Sequence, residues 1–159
     1  MVVQIFFICC LTCLTVVVHA VGTIEAIVHL LGVWRRENAK LDSFVLARHI
    51  LRVVGVLLVL HWFEAGIWAL FYLFSGALPD LETATYFSLT SYTTLGYGDV
   101  VLPSAWRLLG PFEAAVGILM FGWSTGVMVA AITRIYGNRL RDSDDQQVDA
   151  RESASVGKV

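Results

Sequence analysis

"YTTLGYGDVVLP" extends from Tyr92 to Pro103 in a chain that is otherwise rich in Val, Leu, Ile and Phe. Its two glycines, Gly96 and Gly98, permit backbone conformations with positive φ that other residues rarely adopt. Because they alternate with Leu95 and Tyr97, successive carbonyl groups can turn towards one side. Stacked carbonyl oxygens from several such strands can replace the hydration shell of a cation. The stretch therefore predicts an ion-binding loop.

Three apolar stretches predict the environment of this loop. They run from Met1 to Ile24, from Val53 to Leu78 and from Leu108 to Thr133, interrupted only by Glu64 and Glu113. Each is longer than the roughly 20 apolar residues that a helix needs to cross a bilayer. The chain is also 57% hydrophobic. We therefore expect an all-α membrane protein with three transmembrane helices.

The basic residues predict how these spans are oriented. Arg and Lys cluster between the first two stretches and again after the third, whereas Arg107 is the only one between the second and third. The positive-inside rule then places the N-terminus outside and the C-terminus in the cytoplasm. The compact architecture favours a bacterial inner membrane. A net charge of −2 does not indicate nucleic acid as a partner.

A short helix is predicted directly before the glycines. Pro79 and Asp80 mark its start, with Asp80 as the candidate N-cap. Residues 81–93 can form a helix about 20 Å long at ~1.5 Å per residue, which is too short to cross the membrane and return. Non-helical backbone at membrane depth is tolerated only where protein or a water-filled path surrounds it. This predicts a re-entrant helix followed by a loop that other chains help to enclose.

These residues resemble a known family. The sequence TLGYG at 94–98 is similar to the T-V-G-Y-G selectivity filter of potassium channels, and TTLGYGD extends the similarity by one residue on each side. The order of outer helix, short pore helix, filter and inner helix over about Arg48 to Tyr136 resembles the two-transmembrane pore module of bacterial members. The first span lies outside that module.

The resemblance implies both a function and an assembly. It implies a potassium-selective channel, assembled as a homotetramer in the lipid bilayer, that conducts K⁺ passively and uses K⁺ but no organic cofactor. Backbone carbonyls bind the ion, together with the Thr94 hydroxyl, and the negative end of the pore-helix dipole favours a cation nearby. The filter consists of Thr94, Leu95, Gly96, Tyr97 and Gly98, of which the first four coordinate K⁺.

Other residues are expected to support the filter. The candidates are Tyr86, Phe87, Thr90 and Asp99. Tyr86 and Phe87 occupy positions that are often a tryptophan pair in the family. Tyr86 can still reach Asp99, whereas Phe87 has no donor to hold the Tyr97 hydroxyl.

Gly117 and the two intramembrane acids are candidates for gating. Gly117 lies where the inner helix of the family commonly has a hinge glycine, and a packing role is equally compatible with the sequence. Glu64 and Glu113 are costly in a bilayer and such residues are usually functional. We expect both behind the filter, hydrogen-bonded to Thr or Ser on the pore helix, with His61 close by. They either sense pH or only brace the packing.

The chain divides into four predicted parts. These are an N-terminal transmembrane helix at 1–34, a basic cytoplasmic linker at 35–52, the pore domain at 53–136 and a disordered cytoplasmic tail at 137–159. The tail is polar and mixed in charge, so it cannot bury a core.

Two alternatives to a selective channel follow from the sequence. One is a weakly selective cation pore, which the intact G-Y-G argues against. The other is a non-conducting partner of other membrane proteins, assembled through the first span and the G-x-x-x-G pair Gly122 and Gly126. No nucleophile–base pair or P-loop indicates an enzyme.

Overall fold

The computed structural model describes residues 2–36 and 43–156 of the chain, and four helices form its regular secondary structure. They are α1 (Val2–Arg36), α2 (Ser43–Phe74), α3 (Leu81–Tyr92) and α4 (Leu109–Val156). Three of them contain apolar segments long enough to cross a membrane: Val2–His29, Ala47–Phe74 and Leu109–Thr133. The prediction of an all-α protein with three spans is confirmed.

Helix α1 packs into the bundle formed by the other helices. The Trp68 indole Nε1 of α2 donates to the Thr15 hydroxyl of α1 at 3.0 Å, and both side chains are fully buried. Near the start of α1, the Phe7 ring lies 5.0 Å from the Phe71 ring and 5.8 Å from the Trp106 ring, between centroids. The first span is therefore an integral part of the core.

Helix α3 begins and ends close to the predicted positions. Asp80 is extended, with φ −152° and ψ 166°, and its carboxylate accepts from the Thr83 amide at 2.8 Å. This is the N-cap that the sequence predicts, and the Thr83 amide bond lowers the pKa of Asp80. The buried side chains of α3 recur at helical spacing and face α2 and α4: Ala84, Phe87, Ser88 and Tyr92.

The helices extend further than the predicted boundaries. Helix α4 continues to Val156, whereas 137–159 was predicted to be a disordered tail. The helix can continue because 137–156 contains no proline, and eight of its twenty residues are Arg, Gln, Glu or Ala, which have high helix propensity. The predicted linker at 35–52 is also partly helical, since α1 ends at Arg36 and α2 begins at Ser43. Residues 37–42 and 157–159 lie outside the described residues.

Candidate functional site

The glycine-rich segment, Thr94–Gly98, follows α3 and has an alternating backbone. Positive φ angles occur at Thr94 (61°), Gly96 (52°) and Gly98 (78°), and Leu95 and Tyr97 between them do not share this conformation. A positive φ is unusual for a β-branched residue such as Thr94 and costs about 1–3 kcal/mol. Alternation of this kind turns successive peptide groups, so that neighbouring carbonyls can face the same side.

Backbone hydrogen bonds attach this segment to the last turn of α3. The Thr94 amide donates to the Ser91 carbonyl at 2.9 Å, and the Gly96 amide donates to the Thr90 carbonyl at 3.0 Å. The Thr90 hydroxyl donates within α3, to the Phe87 carbonyl at 2.9 Å. Thr90 therefore holds the segment through its carbonyl group, which every residue type offers, rather than through its side chain.

Tyr86 and Asp99 support the far end of the segment. The Tyr86 hydroxyl donates to Asp99 Oδ2 at 2.7 Å, and the Val100 amide donates to Asp99 Oδ1 at 3.0 Å. The Tyr86 bond lowers the pKa of Asp99, and the same bond raises the pKa of Tyr86. The contact expected between these residues is thus present. Phe87 instead packs in the core, with its ring 5.2 Å from that of Tyr72.

One side of the glycine-rich segment is open in the single chain. Leu95 is 55% exposed and Tyr97 is 67% exposed. The segment also borders a cavity of about 420 Å³, which lies between it and the start of α4 and is not lined by Leu95 or Tyr97. Its lining includes Thr94, Gly96, Gly98, Arg107, Gly110 and Ala114. The segment therefore has both an exposed apolar side chain and an exposed aromatic one next to a concave surface.

Gly117 lies where α4 approaches the end of α3. A β-carbon built there would lie 2.0 Å from the Tyr92 main-chain oxygen, far inside any normal contact. Of the two roles left open by the sequence, this geometry provides direct evidence for packing. The G-x-x-x-G pair differs, because β-carbons at Gly122 and Gly126 would meet no atom within 4 Å.

Glu113 joins α4 to α2 and α3. It is fully buried, accepts from the Tyr72 hydroxyl at 2.8 Å and is hydrogen-bonded to Ser88 of α3. The Ser88 hydroxyl also lies 2.6 Å from the Ala65 carbonyl oxygen. A hydroxyl has one proton and cannot donate to both acceptors. Both contacts are satisfied when Glu113 carries a proton and donates to Ser88.

Glu64 joins α2 to α3 at a different position, one helical turn further along α3. Its carboxyl group is fully buried and accepts a hydrogen bond from the Tyr92 hydroxyl. The expected partner was a Thr or Ser, but the side chain that reaches Glu64 from α3 is the longer Tyr92. His61 lies close by, as expected, with Nδ1 3.5 Å from Glu64 Oε2.

The sequence did not single out His19 and Ser124, which also belong to this group. His19 Nδ1 lies 2.9 Å from Glu64 Oε1, and Ser124 Oγ lies 3.1 Å from His19 Nε2. The available signal was a histidine in the middle of an otherwise uncharged span. His19, His61 and Glu64 each offer one possible metal-ligand atom, and these atoms lie within 4.8 Å of one another, a spacing that could hold a metal ion. Each of those atoms already has a hydrogen-bond partner inside the protein, so we assign them to a hydrogen-bonded cluster.

The helices and the glycine-rich segment define an integral membrane protein with a glycine-rich loop between its second and third spans. The family model described as "Ion channel" matches residues 54–134, just over half of the 159-residue chain. The chain belongs to this ion channel family, whose activity is ion transport. The match includes most of α2, all of α3 and the glycine-rich segment, whereas α1 precedes it. Searches of curated proteins and of solved structures gave no match.

Proposed function

We propose that this protein is a potassium-selective channel that conducts K⁺ passively through a homotetrameric pore. The observation that carries the proposal is the alternating positive φ at Thr94, Gly96 and Gly98 within the sequence TLGYG. Carbonyl oxygens of residues 94–97 coordinate K⁺, and the Thr94 hydroxyl adds a further oxygen at the inner end. Oxygen cages of this kind replace the hydration shell of the ion.

Several features of the single chain support assembly into a tetramer. One strand supplies one oxygen per layer, so a cage around K⁺ needs several copies around an axis. The exposed side chains of Leu95 and Tyr97 and the adjacent 420 Å³ cavity give each copy a surface for its neighbour. The open glycine face at Gly122 and Gly126 allows a second close approach between α4 helices.

The position of α1 supports the proposed topology. Gln4, near the N-terminus, is hydrogen-bonded to the Ala105 carbonyl in the connection between α3 and α4. The N-terminus and this connection therefore lie at the same end of the bundle. Outward placement of both agrees with the excess of basic residues elsewhere. Helix α3 then enters the membrane from outside, with its C-terminal, negative end towards the pore.

Ion flux through the purified protein in liposomes tests this proposal. Wild type is expected to pass K⁺ in preference to Na⁺, to be blocked by barium and to migrate as a tetramer. Gly96→Ala should abolish the flux, because alanine disfavours the φ of +52° at that position. Gly55→Ala is the matched control, since it also lies in open space but has no positive φ.

Each alternative gives a different result in the same experiment. Equal K⁺ and Na⁺ flux that Gly96→Ala abolishes would indicate a weakly selective pore. A stable tetramer without any flux at several pH values and voltages would indicate a non-conducting partner protein. Flux that Gly96→Ala and Gly55→Ala leave equally intact would contradict the assignment of the conducting segment.

A further inference from the structure

Five buried side chains form a closed ring of hydrogen bonds at the end of α3. This five-residue ring takes one or two members from each helix and consists of His19 (α1), His61 and Glu64 (α2), Tyr92 (α3) and Ser124 (α4). Its links are His19 Nδ1 to Glu64 Oε1 (2.9 Å), Ser124 Oγ to His19 Nε2 (3.1 Å), Ser124 Oγ to His61 Nε2 (3.2 Å), His61 Nδ1 to the Tyr92 hydroxyl (3.3 Å), and the Tyr92 hydroxyl to Glu64 Oε2. None of the five residues is more than 6% exposed.

The number of protons decides whether this ring can close. Each of the five links needs one proton between its two heavy atoms. The Tyr92 and Ser124 hydroxyls supply one each, and a neutral imidazole supplies one from each histidine. An ionised Glu64 supplies none, so one link must stay unmade. One additional proton, either on Glu64 or on one of the imidazoles, completes all five links and leaves the ring with no net charge.

The surroundings of the ring favour the uncharged form. The Phe121 ring lies 4.2 Å from the His61 ring, and the Trp123 ring lies 5.9 Å from the His19 ring. A net charge in such apolar surroundings is costly. Glu113 of α4 is the other ionisable acid that interacts with Tyr92. It has its own hydrogen-bond partners, Ser88 of α3 and Tyr72 of α2, and adds no positive charge.

We propose that the five-residue ring is a proton-binding site that ties all four helices together beside the glycine-rich segment. Tyr92 lies two residues before that segment. The main-chain carbonyl group of Tyr92 packs against Gly117 of α4. Loss of the proton opens one link and loosens the contact between α1, the end of α3 and α4. The proton site itself does not depend on conduction, whereas its effect on current rests on the proposed channel function. The proposal also gives α1 a function, since His19 supplies two of the five links.

Thermal unfolding of the purified wild-type protein between about pH 5 and about pH 8 tests the proton site, because histidine is the side chain type that ordinarily changes charge in this range. The proton stabilises the folded state, so Tm should fall as the pH rises.

Glu64→Gln is the decisive variant. Its amide donates to Tyr92 and accepts from His19 at every pH, so Tm should stay high and lose this pH dependence. Ser124→Ala removes two links, so Tm should be low and nearly flat. His29→Gln, an exposed histidine on the same helix as His19, should behave like wild type.

K⁺ flux in liposomes measures the consequence for the channel. Wild-type flux should change at least about fivefold over the same range, a usual size for coupling between two sites, and Glu64→Gln should reduce that change. If Tm depends on pH as expected but neither wild type nor Glu64→Gln conducts K⁺, the proton site is supported and the proposed channel function is contradicted.

Three results would overturn the proposal. The first is a wild-type Tm that does not depend on pH. The second is a pH dependence of Tm that persists unchanged in both Glu64→Gln and Ser124→Ala. Should Glu64→Gln fail to fold, the Ser124→Ala variant provides this test by itself. The third is a pH dependence that a chelator removes and Zn²⁺ restores, which would identify a metal ion as the occupant.

Discussion

The backbone of α4 at Gly117 packs directly against the main-chain carbonyl of Tyr92, and a β-carbon there would lie 2.0 Å from the carbonyl oxygen. This contact joins the third span to the last residue of α3, two residues before the glycine-rich segment. Since the obstructing atoms belong to the backbone, no side-chain movement can make room for a larger residue. The relationship leads to the first prediction.

Gly117→Ala should destabilise the protein, because α4 must move away from α3 to accommodate the methyl group. We expect a cost of about 1–3 kcal/mol, as for other overpacked sites, and a lower Tm of the purified protein. Gly66→Ala is the control, since a β-carbon at that helical glycine meets no atom within 4 Å. A Gly117→Ala protein as stable as Gly66→Ala, but with altered opening, would instead support a hinge.

Glu113→Ala and Glu113→Gln should differ in stability. The alanine variant leaves the buried Tyr72 hydroxyl without its acceptor and removes a partner of Ser88. An unsatisfied buried group costs about 1–3 kcal/mol. The glutamine variant keeps a neutral donor and an acceptor, so it should remain close to wild type. Chemical denaturation of both variants provides the measurement, and equal losses in the two would show that the proton on Glu113 is not needed.

Tyr86→Phe should raise the pKa of Asp99 towards its ordinary value, because the Tyr86 hydroxyl is the main cause of the lowered pKa. A carboxyl with a lowered pKa stabilises the fold above its unfolded-state pKa. It loses that contribution as the pH falls through the folded-state pKa. Acid disruption of the loop should therefore begin at a higher pH in the variant.

NMR titration of carboxyl-labelled aspartate measures this effect directly. Thr83→Val is the control, since Thr83 donates to Asp80 and not to Asp99. An Asp99 titration that is identical in wild type and Tyr86→Phe would show that the hydrogen bond is not maintained in the purified protein.

Helix α1 lies outside the residues that the family model matches, but it packs in the core. Thr15→Val should weaken its packing against α2. Valine has nearly the same shape as threonine but leaves the buried Trp68 indole N–H without an acceptor. We expect a loss of about 1–3 kcal/mol in the free energy of unfolding. Thr12→Val, one turn earlier and only partly buried, is the matched control. Similar stability of the two variants would contradict a core role for α1.

The sequence by itself determined the features that depend on neighbouring residues. Three apolar stretches were long enough to span a bilayer, and Asp80 was a local cap for α3. The glycines at 96 and 98 permitted the positive φ angles that the structure has there, and the short loop kept Asp99 within reach of Tyr86. Each of these follows from chain geometry or from the conformational limits of one residue type, so no distant partner had to be known.

The tertiary structure alone decided which distant side chains meet. His19 is 45 residues from Glu64 and 105 residues from Ser124, yet it contacts both. The spans are apolar on nearly every face, so their sequences do not show which face turns inward. The packing of the helices sets that rotation, and it brings the ring together. The same packing explains why Gly117, whose role the sequence left open, lies against Tyr92.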